Sequence, residues 1–230
     1  MPKLMPDDRR AERVVRCVFG LFLFGLGIAL MLRGDVGTAP WDVFHTGVAD
    51  LLGVDVGPVI IATGVALLLL WIPLGERVGL GTVLNAVLIG AFVDLTYPWL
   101  VETDRLVPRL AMMLLGLVLI GVGSGFYIGA GLGPVPRDGL MTGLSRRSIA
   151  GRPISVRTAR TFIEVVVLLV GIALGGAVGV GTVAFTLGIG PLVHLFLPPL
   201  TMDGPAPEVD VDPLSGDVID PLTGETPTPT

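Results

Sequence analysis

The chain has 230 residues, 52% of them hydrophobic and only 15% charged, with a mean hydropathy of +0.82. That composition excludes a soluble domain of this size and reads as a multispanning, all-α integral membrane protein whose first partner is the lipid bilayer. The net charge of −5 comes from the last thirty residues, where Asp203, Glu208, Asp210, Asp212, Asp217, Asp220 and Glu225 stand without any Lys or Arg; the remainder carries 15 basic against 13 acidic residues, and no nucleic-acid partner is expected.

Residues 1–13 form a basic N terminus. Its Arg9-Arg10 pair ahead of an apolar run invites a twin-arginine or secretory-signal reading, but the run has the length of a full span and no small-residue cleavage site follows. Apolar runs long enough to cross a bilayer fall at about 14–33, 57–74, 79–99, 109–131, 158–175 and 178–198. Between the first and second run of each half lies a shorter, more polar piece opening on proline, Pro40 to Leu52 and Pro136 to Ile149. A helix of about 13 residues reaches only about 20 Å, less than a hydrocarbon core of about 30 Å, so these two are expected to be re-entrant or interfacial. The expected layout is a membrane repeat at 14–100, a second at 101–200 and an acidic disordered tail at 201–230.

The two halves carry one signature twice. Gly37-Thr-Ala-Pro40-Trp-Asp42 returns 96 residues later as Gly133-Pro-Val-Pro136-Arg-Asp138, and Gly20, Gly25, Gly27 and Gly47 return as Gly116, Gly121, Gly123 and Gly143. After four inserted residues the register resumes at an offset of 100, pairing Gly79-Leu-Gly81-Thr82-Val83 with Gly179-Val-Gly181-Thr182-Val183 and Gly90 with Gly190. A duplicated hydrophobic unit is how many membrane carriers are built, with the working site at the interface of the copies.

Orientation follows from the basic residues, since cytoplasmic loops are enriched in Lys and Arg. Lys3, Arg9, Arg10, Arg13 and Arg16 place the N terminus inside, as Arg146, Arg147, Arg152, Arg157 and Arg160 place the loop before the fifth span. Six spans put twelve basic residues inside and leave Arg33, Arg105 and Arg109 outside; eight spans, with the short helices crossing, give the same division. Span length favours six, with inverted repeats and both termini cytoplasmic; eight would make the repeats parallel.

Asp42 and Asp138 lead the candidate site residues, each just inside a short helix at or near membrane depth, where an ionised group is costly. They line a shared path that binds a proton, cation or amine, or they cap the free N–H groups of their helices; the two roles are compatible. Arg137 adds a cation at one of these helix starts, where an anion is favoured. His45 lies one turn from Asp42 and is placed to share its site. Further polar groups at membrane depth are Asn85, Asp94, Glu164 and His194. Asp94 and His194 occupy equivalent positions and define a candidate proton relay, and Glu164 is spaced to pair with Arg160 one turn earlier.

Gly121, Gly125, Gly129 and Gly133 recur every four residues along the fourth span, and Gly171, Gly175 and Gly179 across the fifth, as small faces that let helices approach closely, within the chain or in a homodimer. They lie inside apolar runs with no preceding strand, which argues against nucleotide binding. The lone Cys17 makes no disulfide or thiol metal site, HExxH and GxSxG signatures are absent, and no enzyme activity, cofactor or metal is expected.

At these glycine, proline and aspartate motifs, over about residues 15–200, the sequence resembles the YczE/YyaS/YitT group of bacterial integral membrane proteins, most closely its YczE-like members. The resemblance implies a plasma-membrane protein of bacterial origin and supplies no biochemical activity. The expected function is a small transporter or exporter whose path runs between the repeats near Asp42 and Asp138; the alternative is an accessory or scaffold protein that holds a partner through its glycine faces or tail.

Overall fold

The computed structural model describes residues 8–76, 78–145 and 155–202. Arg77, the 146–154 loop and the acidic tail beyond 202 lie outside the described residues, and the expectations placed on them are untouched.

Among the described residues the chain is all helical, with eight α-helices and no strand: α1 (Arg10–Gly34), α2 (Pro40–Leu52), α3 (Val56–Leu74), α4 (Leu80–Thr96), α5 (Leu106–Gly129), α6 (Pro136–Ser145), α7 (Val156–Ala173) and α8 (Val180–Leu200). A single 3-10 turn, Tyr97–Trp99, extends α4. Five of these, α1, α3, α4 with its extension, α5 and α8, are long and apolar enough to cross a membrane. The sixth expected span, α7, has 18 residues but carries Arg157, Arg160 and Glu164 in its first half. Large apolar side chains such as Leu69, Leu70 and Ile72 on α3, Leu114 and Leu115 on α5, Leu169 on α7 and Leu187 and Leu195 on α8 face outward. An apolar exterior over a helical bundle is the surface a bilayer solvates.

Local sequence sets the helix starts. Pro40 and Pro136 occupy the first positions of α2 and α6, where a missing N–H costs nothing and the fixed φ favours the first turn. In α4 and α8 the third-position threonine reaches back: Thr82 Oγ1 accepts from Gly79 N at 3.4 Å and Thr182 Oγ1 from Gly179 N at 3.2 Å. The start of α3 is capped from elsewhere, since Gly57 N donates to Asp94 Oδ1 of α4 at 2.9 Å.

The core is the crossing of α1 and α5. A Cβ on Gly20 would lie 2.6 Å from the Gly123 carbonyl oxygen, and one on Gly123 would lie 2.6 Å from that of Gly20. Gly27 and Gly116 repeat the arrangement at 2.6 and 2.5 Å. Because contacts run down α5 as they run up α1, the two helices are antiparallel. Backbones can approach this closely only where neither residue has a side chain.

Arginine closes both ends of that crossing. Arg13, in the first turn of α1, donates from Nη1 to the Ala130 carbonyl just past α5 at 2.8 Å, and Arg109, in the first turn of α5, donates from Nε to the Gly34 carbonyl ending α1 at 2.7 Å. Each guanidinium thereby satisfies an orphan carbonyl at a helix C terminus and complements its dipole. Counter-charges complete the pairs: Asp8 Oδ2 lies 2.6 Å from Arg13 Nη2, and Asp35 Oδ2 lies 2.7 Å from Arg109 Nη2. Asp8 is an exposed group outside the spans, and the hydrogen bond from Arg13 holds its carboxyl below the usual carboxylate range.

Around this pair, α4 packs on α1 at Gly25, opposite Phe92, and α8 packs on α5 at Gly121, opposite Leu192. The remaining helices change sides: α2 of the first half packs on α7 of the second, and α6 of the second on α3 of the first. The loops cross as well, with Gly181 N donating to Val36 O at 2.8 Å and Gly81 N to Leu132 O at 2.7 Å. These crossings need the positive φ of Gly37 (108°) and Gly133 (127°), where a side chain would be strained and would also strike the start of α8 or α4.

The glycine faces are mostly spent inside the molecule. Gly121, Gly125 and Gly129 lie against Leu192, Phe196 and Leu200 of α8, and Gly171 against Phe44 of α2. Gly133 and Gly175 fall outside helices, in left-handed turns.

Candidate functional site

A cavity of about 90 Å³ lies in the middle of the bundle, where α1 and α5 meet the short helices α2 and α6. It has room for several waters or a small ligand. Its walls are mainly apolar, from residues such as Ile28, Ile60, Leu67 and Ile89, and its polar groups are Trp41, Asp42 and His45 from α2, Thr63 from α3, Asn85 from α4 and Arg137 from α6. Several wall residues come in pairs at the sequence offsets: Phe24 with Ile120, Ala39 with Val135 and Trp41 with Arg137 are 96 apart, and Asn85 with Phe185 is 100 apart.

The starts of the two short helices build the polar wall. Proline at the first position puts residues 41 and 137 at the second and the aspartates at the third. Asp42 is only 5% exposed, and its Oδ1 lies 3.2 Å from His45 Nδ1. The carboxylate therefore engages the imidazole. Thr46 Oγ1, one turn further, donates to the Asp42 and Val43 carbonyls and accepts from Ala177 N at 3.0 Å, tying α2 to the turn before α8.

Five buried side-chain nitrogens make no hydrogen bond among the described residues, and four of them belong to this wall: Trp41 Nε1, His45 Nε2, Asn85 Nδ2 and Arg137 Nε. Trp41, His45 and Asn85 are 8, 6 and 6% exposed. A buried donor without a partner costs about 1–3 kcal/mol; three of the four are donors, and His45 Nε2 is an acceptor while Nδ1 donates to Asp42 from a neutral ring.

Asp138 does not line the cavity. It sits behind Arg137, whose Nε is 3.8 Å from Asp138 Oδ1, among charges that include Arg160 and Glu164 of α7. Arg160 Nε and Glu164 Oε1 are 4.0 Å apart, the spacing expected of that pair. Asp94 serves as the cap of α3, and His194 is exposed on α8. No relay joins these two: Tyr97, at the end of α4, accepts from Arg33, whereas Leu200, at the end of α8, accepts from Arg16 at the opposite end of α1.

The structure thus brings together Asp42, His45 and Arg137, adds Asn85, and sets Asp138, Glu164, Asp94 and His194 apart. Trp41 escaped sequence reasoning, although it is the residue that the signature exchanges for Arg137. The Arg13 and Arg109 staples escaped too, read only as topology charges although they stand 96 apart. Among the described residues no group of three or more His, Cys, Asp or Glu is arranged to hold a metal ion.

Apolar spans around a small, partly polar central cavity define a multi-pass membrane protein. The chain belongs to the family of unknown function DUF6198, which matches residues 11–198. It is similar to an uncharacterized protein of Haemophilus influenzae, 37% identical over 180 residues, which are 78% of this chain and 81% of that one. It is also similar to two Bacillus subtilis proteins: the uncharacterized membrane protein YczE, 33% identical over 195 residues (82% of this chain, 88% of the relative), and the uncharacterized protein YyaS, 29% identical over 190 residues (78% and 89%). No solved structure matches the chain.

Proposed function

We propose that the chain is a small carrier of the bacterial plasma membrane, built of two inverted repeats, with the central cavity as its substrate site. The observation that carries this reading is a cavity between the halves whose wall residues Trp41, His45, Asn85 and Arg137 each bear an unpartnered buried nitrogen. Carriers of repeated architecture hold substrate at the repeat interface near the bilayer midplane, next to the starts of broken or short helices.

Helix directions support inversion. With α1 and α5 antiparallel, an even number of crossings lies between them, which α3 and α4 satisfy when α2 does not cross. Phe92 and Tyr97 of α4 follow Gly25 and Arg33 of α1 in the same order, and Leu192 and Phe196 of α8 follow Gly121 and Gly125 of α5, so each of these pairs is parallel. In the second half that leaves a single crossing between α5 and α8. At 18 residues, about 27 Å, α7 supplies it better than α6 at 10 residues. Six spans result, with both termini cytoplasmic by the basic-residue rule.

Two measurements test the reading. In a Cys17→Ser background, Glu102→Cys is expected to react with an impermeant maleimide in intact cells and Glu76→Cys only after permeabilisation; the reverse pattern overturns the topology. In a thermal-shift screen of ions and metabolites, a ligand at 100 times its dissociation constant adds about 2.7 kcal/mol of stability. That shift should vanish in a folded Thr63→Phe variant, whose ring fills the cavity; a shift that survives removes the cavity as the site.

A further inference from the structure

We infer that the central cavity takes a small acid in its anionic form, a carboxylate or an oxyanion, together with one proton. This rests on reading the cavity as a substrate site. The evidence is chemical: of the four unpartnered buried nitrogens on wall residues, those of Trp41, Asn85 and Arg137 are donors, and His45 Nε2 becomes one when the ring is protonated. An indole N–H and a guanidinium N–H have no acceptor form, so Trp41 and Arg137 are matched only by a ligand that offers lone pairs. Arg137 adds a positive charge and a planar fork suited to carboxylates and oxyanions. An ammonium or another donor-only ligand could be met by His45 Nε2 while that ring is neutral, but it would leave the N–H groups of Trp41, Asn85 and Arg137 as they stand. The apolar remainder, from Ile60, Leu67, Ile89 and Phe185, suits a short hydrocarbon tail.

Charge balance supplies the proton. Of the groups lining the cavity only Asp42 on α2 and Arg137 on α6 carry fixed charge; α1, α3, α4, α5 and α8 contribute none, and α7 does not reach the wall. With His45 neutral, Asp42 and Arg137 cancel, and an entering anion would leave a net negative charge in a poorly solvated space. An imidazolium at His45, held by Asp42 at 3.2 Å, restores the balance and turns Nε2 into one more donor toward the ligand. Ligand and proton thus bind as a pair, and their joint passage moves no net charge.

The test uses the full chain in detergent. Acetate, nitrate and phosphate are compared with neutral acetamide and cationic methylammonium, by melting temperature and tryptophan fluorescence. At least one anion is expected to stabilise the protein, with the amide and the amine inert. Acetate alone would identify an organic acid, nitrate or phosphate alone an inorganic oxyanion, and either result supports the inference. Trp41→Phe, which removes one N–H and little bulk, and Arg137→Gln should each weaken the anion at least about tenfold; if Arg137→Gln does not fold, Trp41→Phe decides. In weakly buffered solution a pH dye should record uptake of about one proton per anion bound, lost in His45→Gln. The inference is overturned if acetamide or methylammonium binds as well as the anions, if no anion binds, or if anion affinity is unchanged in folded Trp41→Phe. Anion binding without flux in proteoliposomes would sink the carrier reading and leave this site standing, whereas flux of a neutral or cationic compound would do the opposite.

Discussion

The starts of α2 and α6 share a backbone and differ in chemistry. Both open on proline after a left-handed glycine, and both place an aspartate at the third helical position. In α2 that aspartate faces the cavity, 5% exposed and bonded to His45, with Trp41 beside it. In α6 it turns behind Arg137 toward Arg160 and Glu164, and the arginine takes the place that Trp41 holds in the other half. The site is therefore asymmetric, one half contributing a carboxylate–imidazole pair and the other a cation. Identical sequence signatures do not imply identical side-chain roles, because a short helix rotated slightly about its axis carries its third residue out of one wall and into another.

The scaffold side of this comparison predicts the largest effect. Gly20→Leu and Gly116→Leu occupy corresponding places at the α1/α5 crossing, where even a methyl would approach a carbonyl oxygen to 2.6 and 2.5 Å. Each should destabilise by about 3 kcal/mol or more, and by similar amounts, seen as a lowered melting temperature or loss of folded protein. A large cost in one and none in the other would break the equivalence of the two halves.

The chemical side predicts a contrast between the aspartates. Asp42→Asn should abolish ligand-linked proton uptake and cost about 1–2 kcal/mol of stability through the weakened contact to His45. Asp138→Asn should leave ligand affinity within about threefold, a change below about 0.7 kcal/mol, because its carboxylate is outside the wall. Equal loss in both would return the two aspartates to one common path.

The smallest effect concerns the arginine staples. The Asp8 carboxyl is held below its ordinary value, so its contact with Arg13 adds stability above about pH 4, the unfolded value. That contribution is lost as pH falls through the lower folded value. Melts from pH 6 to 3 should show the wild type losing its small advantage over Asp8→Asn, with little change above pH 5. No advantage over Asp8→Asn at pH 6 would mean that Arg13 is held by the Ala130 carbonyl alone.

Much of the fold was legible because membrane helices announce themselves by length and hydropathy, and short helices by their opening prolines. Of the site, His45 was legible from its one-turn spacing to Asp42, and Arg137 from its place in the repeated signature. Trp41 was not, since an indole in an apolar stretch looks like packing until its N–H is found without a partner. Nor was the separation of Asp94 from His194: matching places in the sequence pattern do not say which end of the bundle each helix reaches, and the ends of α4 and α8 meet opposite ends of α1.

Composition and periodicity determined the class of protein and the helix boundaries within a few residues, because both depend on local chain chemistry and on burial in lipid. Tertiary structure alone decided that α5 runs against α1, that α2 and α6 exchange partners, and that Asp42 faces the cavity while Asp138 does not. Helix direction and rotation follow from which glycine faces nest and which loop carbonyls are met across the interface. Those are relations between distant segments, and no stretch of sequence contains them.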